Sequence, residues 1–280
     1  MSTVGPERIL TVVVALDASE SSERAVPVGA RLAARLHARL LLMSAVPKET
    51  ELEERCERLQ RLIPRSSSAA IEVIVDPDPA DAIDIVLRGL ADAIACLGSH
   101  GRGRTAALLG SVTTELMRRR REPVVVVGPN YHDELAGRGL VACIDETPQS
   151  TEIMPVALHW SKLLGERLTV ITVAEAVPPP LTSGPVRRKF GPDDDVDGFL
   201  RYAVAKWRAQ GYDLDTEAVY DPVSPASGLT DYLWAHPSTL VVLGSRARTG
   251  LERAIFGSVA AQMMHRSIAP VLAVPRSDAP

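Results

Sequence analysis

Two patterns of hydrophobic residues alternate along the 280 residues of the chain. Short apolar runs rich in valine, leucine and isoleucine are followed by segments in which apolar residues recur every three or four positions. The short runs are typical of parallel strands covered on both faces, and the longer segments of amphipathic helices. The pattern therefore predicts an α/β fold assembled from βαβ units.

Ten apolar runs predict ten strands, five in each half of the chain. We place them near residues 11–16, 40–45, 71–75, 94–97 and 124–127, and near residues 140–144, 168–173, 216–220, 239–243 and 271–274. Helices fill the gaps, and the clearest is predicted over residues 21–36. Pro123 and Pro270 require the helix before each of them to have ended.

The two halves are copies of one another. Six segments of the first half match segments of the second half in the same order: 12–17 with 140–145, 26–28 with 154–156, 40–45 with 168–173, 95–99 with 241–245, 110–112 with 257–259 and 123–127 with 270–274. Such a repeat predicts two domains of one kind in tandem. We expect them to span residues 1–130 and 138–280, with a linker at residues 128–138, where Pro129, Asn130 and Gly137 are typical of a connection.

Composition narrows the class of protein. With 46% hydrophobic and 24% charged residues the chain resembles ordinary globular proteins, and a net charge of −4 gives no general attraction to nucleic acid or anionic membrane. The first ten residues lack a signal-peptide pattern, and the three cysteines have no metal-type spacing. We expect a cytoplasmic protein with no bound metal cluster, no nucleic acid and no membrane.

Two features in each copy indicate a ligand site. Asp17 and Asp145 directly follow the first strand, and a loop rich in glycine and serine follows the fourth strand, at residues 98–111 and 244–258. In open parallel sheets, ligands bind beyond the carboxyl ends of strands where the winding direction reverses. Glycine loops and helix N-termini offer N–H groups to phosphates, and a carboxylate accepts hydrogen bonds from a ribose or base.

An aspartate after the first strand, together with Gly-x-x-Gly and a later Gly-Ser after the fourth, resembles the universal stress protein family. The resemblance covers nearly the whole chain, twice. It implies two tandem doubly wound five-stranded parallel sheets of the adenine-nucleotide α-hydrolase type, with strand order 3-2-1-4-5 in each copy. Strands one and four then form the switch point, where the resemblance implies a site for ATP or another adenine nucleotide, with or without Mg²⁺.

Motif position assigns the implied nucleotide contacts. In the first copy they are Asp17, Ala45, Gly98, Gly101, Gly110 and Ser111, and in the second copy Asp145, Val173, Gly244, Ala247, Gly257 and Ser258. Both copies depart from the family pattern. Eight residues rather than nine separate Gly101 from Gly110, and Ala247 replaces a glycine, which costs about 1 kcal/mol if the backbone there is left-handed.

Simpler interpretations exist for each feature. The aspartates could cap the following helices, and Gly98 and Gly101 could serve a tight turn. The basic residues 118–121 fit the end of a helix, where cations complement the dipole, better than a nucleic-acid site. His100 is a lone loop histidine, and the loop arginines could either neutralise phosphates or lie exposed, which concerns Arg102, Arg104, Arg246 and Arg248.

The leading functional hypothesis is a stress-response or regulatory protein that acts through nucleotide occupancy, without obligatory turnover and without a catalytic residue. A nucleotide-free or cyclic-nucleotide-binding interaction protein is the alternative, and a slow ATPase comes last, because no general base or transferring lysine accompanies the loops. The resemblance further implies that the copies pair through their last strands, residues 124–127 and 271–274, and it is compatible with a homodimer.

Overall fold

The computed structural model describes residues 8–17, 19–65, 67–99, 110–175, 195–245 and 257–275. Among them, the first copy contains five strands and five helices. In chain order these are β1 (Thr11–Ala15), α1 (Glu20–Glu23), α2 (Ala25–Leu36), β2 (Arg39–Val46), α3 (Leu52–Leu62), β3 (Ala69–Val75), α4 (Pro79–Gly89), β4 (Ala93–Gly98), α5 (Ser111–Arg119) and β5 (Val124–Val127).

The described part of the second copy repeats this succession. Its elements are β6 (Leu140–Cys143), α6 (Met154–Leu164), β7 (Leu168–Glu175), α7 (Val196–Ala209), β8 (Leu214–Asp221), α8 (Pro225–Ala235), β9 (Leu240–Ser245), α9 (Ser258–Arg266) and β10 (Val271–Pro275). Short 3-10 turns lie at Glu49–Glu51, Asp133–Leu135 and Pro148–Ile153. Each of the ten predicted strands is present. No helix in the described ranges is long and apolar enough to cross a bilayer.

The strands form a single ten-stranded sheet in the order β3-β2-β1-β4-β5-β10-β9-β6-β7-β8. Each half has the predicted order 3-2-1-4-5, with its own strands all parallel, which confirms the doubly wound fold class. The halves meet where β5 pairs antiparallel with β10, Val125 lying opposite Leu272. Because this junction is antiparallel, the carboxyl ends of the two sets of strands lie at opposite edges of the sheet.

Helices cover both faces of the sheet, because alternate strand residues point to opposite sides. Val12 and Val14 of β1 belong to the core under α2, α3, α6 and α7, whereas Val13 belongs to the core under α4, α5, α8 and α9. This burial on both faces explains why the strands read as continuous apolar runs in the sequence.

The helix predicted over residues 21–36 is two helices, separated at Arg24. Two side-chain hydrogen bonds lie in the first turn. The Ser19 hydroxyl accepts a hydrogen bond from the Ser22 N–H at 3.1 Å, and the Ser22 hydroxyl donates to the Ser19 carbonyl at 2.9 Å. The first of these bonds caps the N-terminus of α1, and α1 ends after one turn at Arg24, whose N–H donates to the Ser22 carbonyl.

The predicted linker packs closely on both copies. Tyr131 is buried, its hydroxyl donates to Asp133 at 2.8 Å, and the Arg31 guanidinium of α2 donates to that hydroxyl at 2.9 Å. Burial raises the pKa of Tyr131, although Arg31 acts in the opposite direction. A Cβ on Gly137 would lie 1.7 Å from the Pro237 carbonyl oxygen, so a side chain at this position would require the backbone to move.

A buried carboxylate lies where the two copies meet. Glu166, whose side chain is 4% exposed, forms an ion pair with Arg35 of α2 in the other copy. It also accepts hydrogen bonds from the Gly139 N–H and the Thr239 hydroxyl, both at 2.8 Å. Arg35 additionally donates to the Leu164 carbonyl at 3.1 Å. One side chain therefore connects α2 with the start of β6, the end of α6 and the start of β9.

Candidate functional site

The candidate site of the first copy lies at the carboxyl ends of β1 and β4. These strands pair in parallel with Ala15 opposite Leu97, so the residues that follow them emerge side by side. From this point the chain turns to α2 on one face of the sheet and to α5 on the other. It is the switch point that the sequence predicted.

Asp17 organises the loop after β1. Its Oδ1 accepts hydrogen bonds from the Ser19 N–H at 2.9 Å and from the Ser19 hydroxyl at 2.6 Å. Ser19, rather than Asp17, is the N-cap of α1, so the interpretation of Asp17 as a plain helix cap is wrong. The carboxylate instead closes a local turn of the Asx type and leaves the loop half-buried beside the end of β4.

The second copy repeats this arrangement. Asp145 Oδ1 accepts hydrogen bonds from the Thr147 N–H at 2.9 Å and from the Thr147 hydroxyl, and Thr147 precedes a 3-10 turn. The Ser150 hydroxyl donates to the Asp145 carbonyl at 2.6 Å. Both copies therefore use an aspartate, a hydroxyl residue two positions later and a serine three positions after that.

Gly98 permits the close approach of α1 to β4. A Cβ at Gly98 would lie 2.9 Å from the Ser21 carbonyl oxygen and 2.9 Å from the Ser22 Cα, both backbone atoms. Thr113 on α5 also bonds to this strand end, its hydroxyl donating to the Gly98 carbonyl at 3.0 Å. The glycine therefore has a packing role that is independent of any ligand.

The start of α5 returns to the end of β4. The Gly110 N–H donates to the Ser99 carbonyl at 2.8 Å, which holds the first turn of α5 one strand away from Asp17. Gly110 is the N-cap of α5, where no side chain caps the helix, and Ser111 is exposed. The first N–H groups of a helix have no acceptor within the helix, so this end is electropositive.

Gly257 occupies the same position in the second copy. It is the N-cap of α9 with φ −61°, no side chain caps the helix, and Ser258 is exposed. A Cβ there would meet no atom of the described residues within 4 Å. Neither the backbone conformation of Gly257 nor its packing against the described residues requires glycine there.

The remaining predicted residues fall into two groups. Ala45 and Val173 lie near the carboxyl ends of β2 and β7, Ala45 half-buried and Val173 buried, and Gly244 lies in β9 opposite Val274. The other group lies outside the described residues and consists of Gly101, Ala247, His100 and the loop arginines Arg102, Arg104, Arg246 and Arg248.

Sequence reasoning missed a hydrogen-bond chain beneath the site. The Ser44 hydroxyl donates to the Leu16 carbonyl at 2.5 Å and accepts from the Arg55 guanidinium of α3 at 2.5 Å. One turn along the same helix, Arg58 forms an ion pair with Glu23 at 2.6 Å. A polar residue within the apolar run of β2 was a signal, but its partner could not be read from the sequence.

The described part of the chain gives no support for a metal cluster or for Cys96 as a nucleophile. No group of three or more His, Cys, Asp or Glu side chains there could hold a metal ion. Cys96, in β4 near the site, is fully buried, and burial raises the pKa of its thiol to about 12. Its protonated thiol is a poor nucleophile near neutral pH.

The basic residues 118–121 lie at the end of α5, as predicted. Acidic side chains pair with three of them: Arg118 with Glu115, Arg119 with Asp78, Asp81 and Glu115, and Arg120 with Asp84 and Glu122. This matched charge favours the interpretation as a helix end over a nucleic-acid surface.

Fold and topology together define a doubly wound α/β protein with a switch point at the carboxyl ends of its first and fourth strands, built twice in one chain. The model of the universal stress protein family matches residues 9–128 and again residues 138–275. The chain therefore belongs to the universal stress protein family and carries the family domain in tandem.

Individual relatives agree with this assignment. Universal stress protein Rv1996 of Mycobacterium tuberculosis is 25% identical over 301 residues, covering 94% of each chain. Universal stress protein Rv2005c of the same organism is 29% identical over 194 residues, and the match spans 65% of this chain but only 61% of that relative. The crystal structure of a universal stress protein from Archaeoglobus fulgidus has the same fold, with a TM-score of 0.68 at 18% identity over 95% of this chain and 98% of that one.

Proposed function

We propose that the chain binds ATP or another adenine nucleotide at the carboxyl edge of the first copy and acts as a regulatory stress-response protein. The hydrogen bond from Gly110 to Ser99 carries this proposal, because it holds the N-terminus of α5 beside the strand end that neighbours Asp17. N–H donors for a phosphate and the carboxylate of Asp17 would then border one crevice. In the second copy, the corresponding site would be formed by Asp145, Val173, Gly244, Ala247, Gly257 and Ser258.

Each residue has a distinct role in this proposal. The first N–H groups of α5 and the exposed Ser111 hydroxyl would hold phosphate, and Gly98, with Gly101, would let the backbone approach it. Asp17 would accept hydrogen bonds from the ribose, and the backbone at Ala45 would contact the base. If Mg²⁺ accompanies the nucleotide, the Ser111 hydroxyl is the group that would face it, and the ion would neutralise phosphate charge.

We further propose that occupancy, rather than turnover, is the output. Phosphoryl transfer needs a group that orients the attacking water in addition to charge neutralisation. The carboxylate of Asp17 is already engaged by Ser19 in closing its loop, which favours a binding role. Nucleotide would then alter which protein contacts the two proposed domains, residues 1–130 and 138–280, make in the cytoplasm.

Isothermal titration with ATP, ADP, AMP and cyclic AMP tests the proposal. Gly110→Asp places a carboxylate where phosphate would bind, so repulsion and bulk act together, and micromolar binding to the first copy should disappear. Gly257→Asp is the matched control at the corresponding N-cap of α9 and should leave that binding intact. The absence of heat with all four nucleotides, together with no nucleotide in native mass spectra of the purified protein, would refute the proposal.

A further inference from the structure

The two copies differ at the helix that follows their second strand. In α3, Arg55 stands four residues before the buried Leu59. In α7, Leu200 stands four residues before the buried Val204, and Leu200 is itself 1% exposed within the apolar core. In the repeat Leu40 matches Leu168, and their partners in the following strand are Ala69 and Leu214. Arg55 and Leu200 stand the same number of residues before these partners, so Leu200 is the counterpart of Arg55. Arg58, three residues beyond Arg55, is likewise replaced by the partly buried Ala203.

Arg55 belongs to a hydrogen-bond chain that ends at the candidate site. Its guanidinium donates to the Ser44 hydroxyl, and that hydroxyl donates to the Leu16 carbonyl. Leu16 directly precedes Asp17, and Ser44 directly precedes Ala45. Since Ser44 is 1% exposed, the chain runs through a weakly solvated interior, where each bond polarises the next. The Arg55 guanidinium therefore adds to the pairing of β1 with β2 that holds the ends carrying Asp17 and Ala45 together.

Within the described residues, the second copy has leucine where the first copy has this cation. Thr172 takes the place of Ser44 at the same depth, but the apolar Leu200 side chain has no hydrogen to donate to it. The described strands β6, β7 and β8 of the second copy nevertheless pair in parallel as β1, β2 and β3 do. The universal stress fold therefore does not require an arginine at this position.

We propose that Arg55 is a positioning residue for nucleotide in the first copy, and that its replacement by Leu200 makes the second copy the weaker site. The inference rests on the proposed adenine-nucleotide function. Arg55 acts through Ser44 and the ends of β1 and β2 without touching the ligand. It therefore controls the selection of the base at Ala45 as well as the affinity.

Titration of the full-length protein with ATP and with GTP tests the inference through Arg55→Leu, which installs the residue of the second copy. Loss of a charge-assisted hydrogen bond should weaken ATP binding to the first copy by about tenfold or more. The preference for ATP over GTP should fall as well, an effect that a general loss of stability would not produce. Arg55→Lys, which keeps a charged donor, should restore part of both.

Arg58→Leu is the matched control, because Arg58 lies on the same helix but bonds to Glu23 and not to β2. It should leave the ATP preference unchanged. Ser44→Ala breaks the same chain from the other end, and it serves as the second variant if Arg55→Leu does not fold. Its effect and that of Arg55→Leu should not add in a double-mutant cycle.

The outcomes separate the two proposals. If the unmodified protein binds ATP and Arg55→Leu binds it with the same affinity and selectivity, the role of Arg55 is wrong and the proposed function stands. An equal loss in Arg58→Leu would likewise overturn that role. If the unmodified protein binds neither ATP nor GTP, the proposed function fails, and the role of Arg55 fails with it.

Discussion

Replacement of Glu166 by alanine should weaken the contact between the two copies. The substitution removes the ion-pair partner of Arg35, whose side chain is 29% exposed, and leaves the Gly139 N–H without its acceptor. An unsatisfied buried N–H costs about 1–3 kcal/mol, and the broken pair adds less than the several kcal/mol of a fully buried one, because water still reaches Arg35. We expect a loss of about 2–4 kcal/mol in the free energy of unfolding.

Urea denaturation followed by circular dichroism measures this loss of free energy. In thermal denaturation we expect the melting temperature to fall by roughly 5–10 °C. Arg167→Ala is the control, since the adjacent Arg167 pairs with Asp215 on the surface, where the side chains are 62% and 46% exposed, and should cost at most about 0.5 kcal/mol. The reasoning is refuted if Glu166→Ala is no more destabilising than Arg167→Ala.

Three further predictions concern the sheet junction, an ionisable side chain and turnover. Cysteines at Val124 and Ala273, which lie opposite each other, should crosslink within one chain at high dilution in a cysteine-free background; only intermolecular products on denaturing gels would contradict the pairing of β5 with β10 in solution. Burial, with the nearby Glu217, raises the pKa of Tyr232 to about 12. The stability that the Tyr232 hydroxyl contributes is therefore complete below pH about 10 and is lost as the pH rises toward about 12. Tyr232→Phe should flatten this alkaline dependence, which denaturation at each pH measures. Steady-state ATP hydrolysis should stay below about 1 per second, and a faster rate that collapses in Gly110→Asp would make the protein an enzyme.

Strand positions could be predicted from the sequence because burial on both faces leaves uninterrupted apolar runs, and the repeat supplied an internal check. The predicted strand 124–127 matches β5 residue for residue. The helix over residues 21–36 was harder, because its apolar period continues across Arg24, where α1 ends and α2 begins.

At the candidate site, motif position located Asp17, Gly98 and Gly110, but their local roles required coordinates. Sequence alone could not show whether Gly98 is needed for packing against Ser21 or for contact with a phosphate. Nor could it reveal Arg55, since a contact between α3 and the end of β2 depends on how the helix crosses the sheet. Hydrophobic periodicity carries no information about that crossing.

Covalent union of the two copies has a consequence for their divergence. When two identical chains meet through an edge strand, any substitution near one ligand site is duplicated at the other, so both sites must change together. Here β5 meets β10 of the same polypeptide, and the partner is supplied at a fixed ratio of one to one. Each half is free to mutate independently while the other keeps the assembly intact. One gene can therefore encode a charged residue at Arg55 and an apolar residue at its counterpart, Leu200. A dimer of two identical chains could not carry this difference between its two sites.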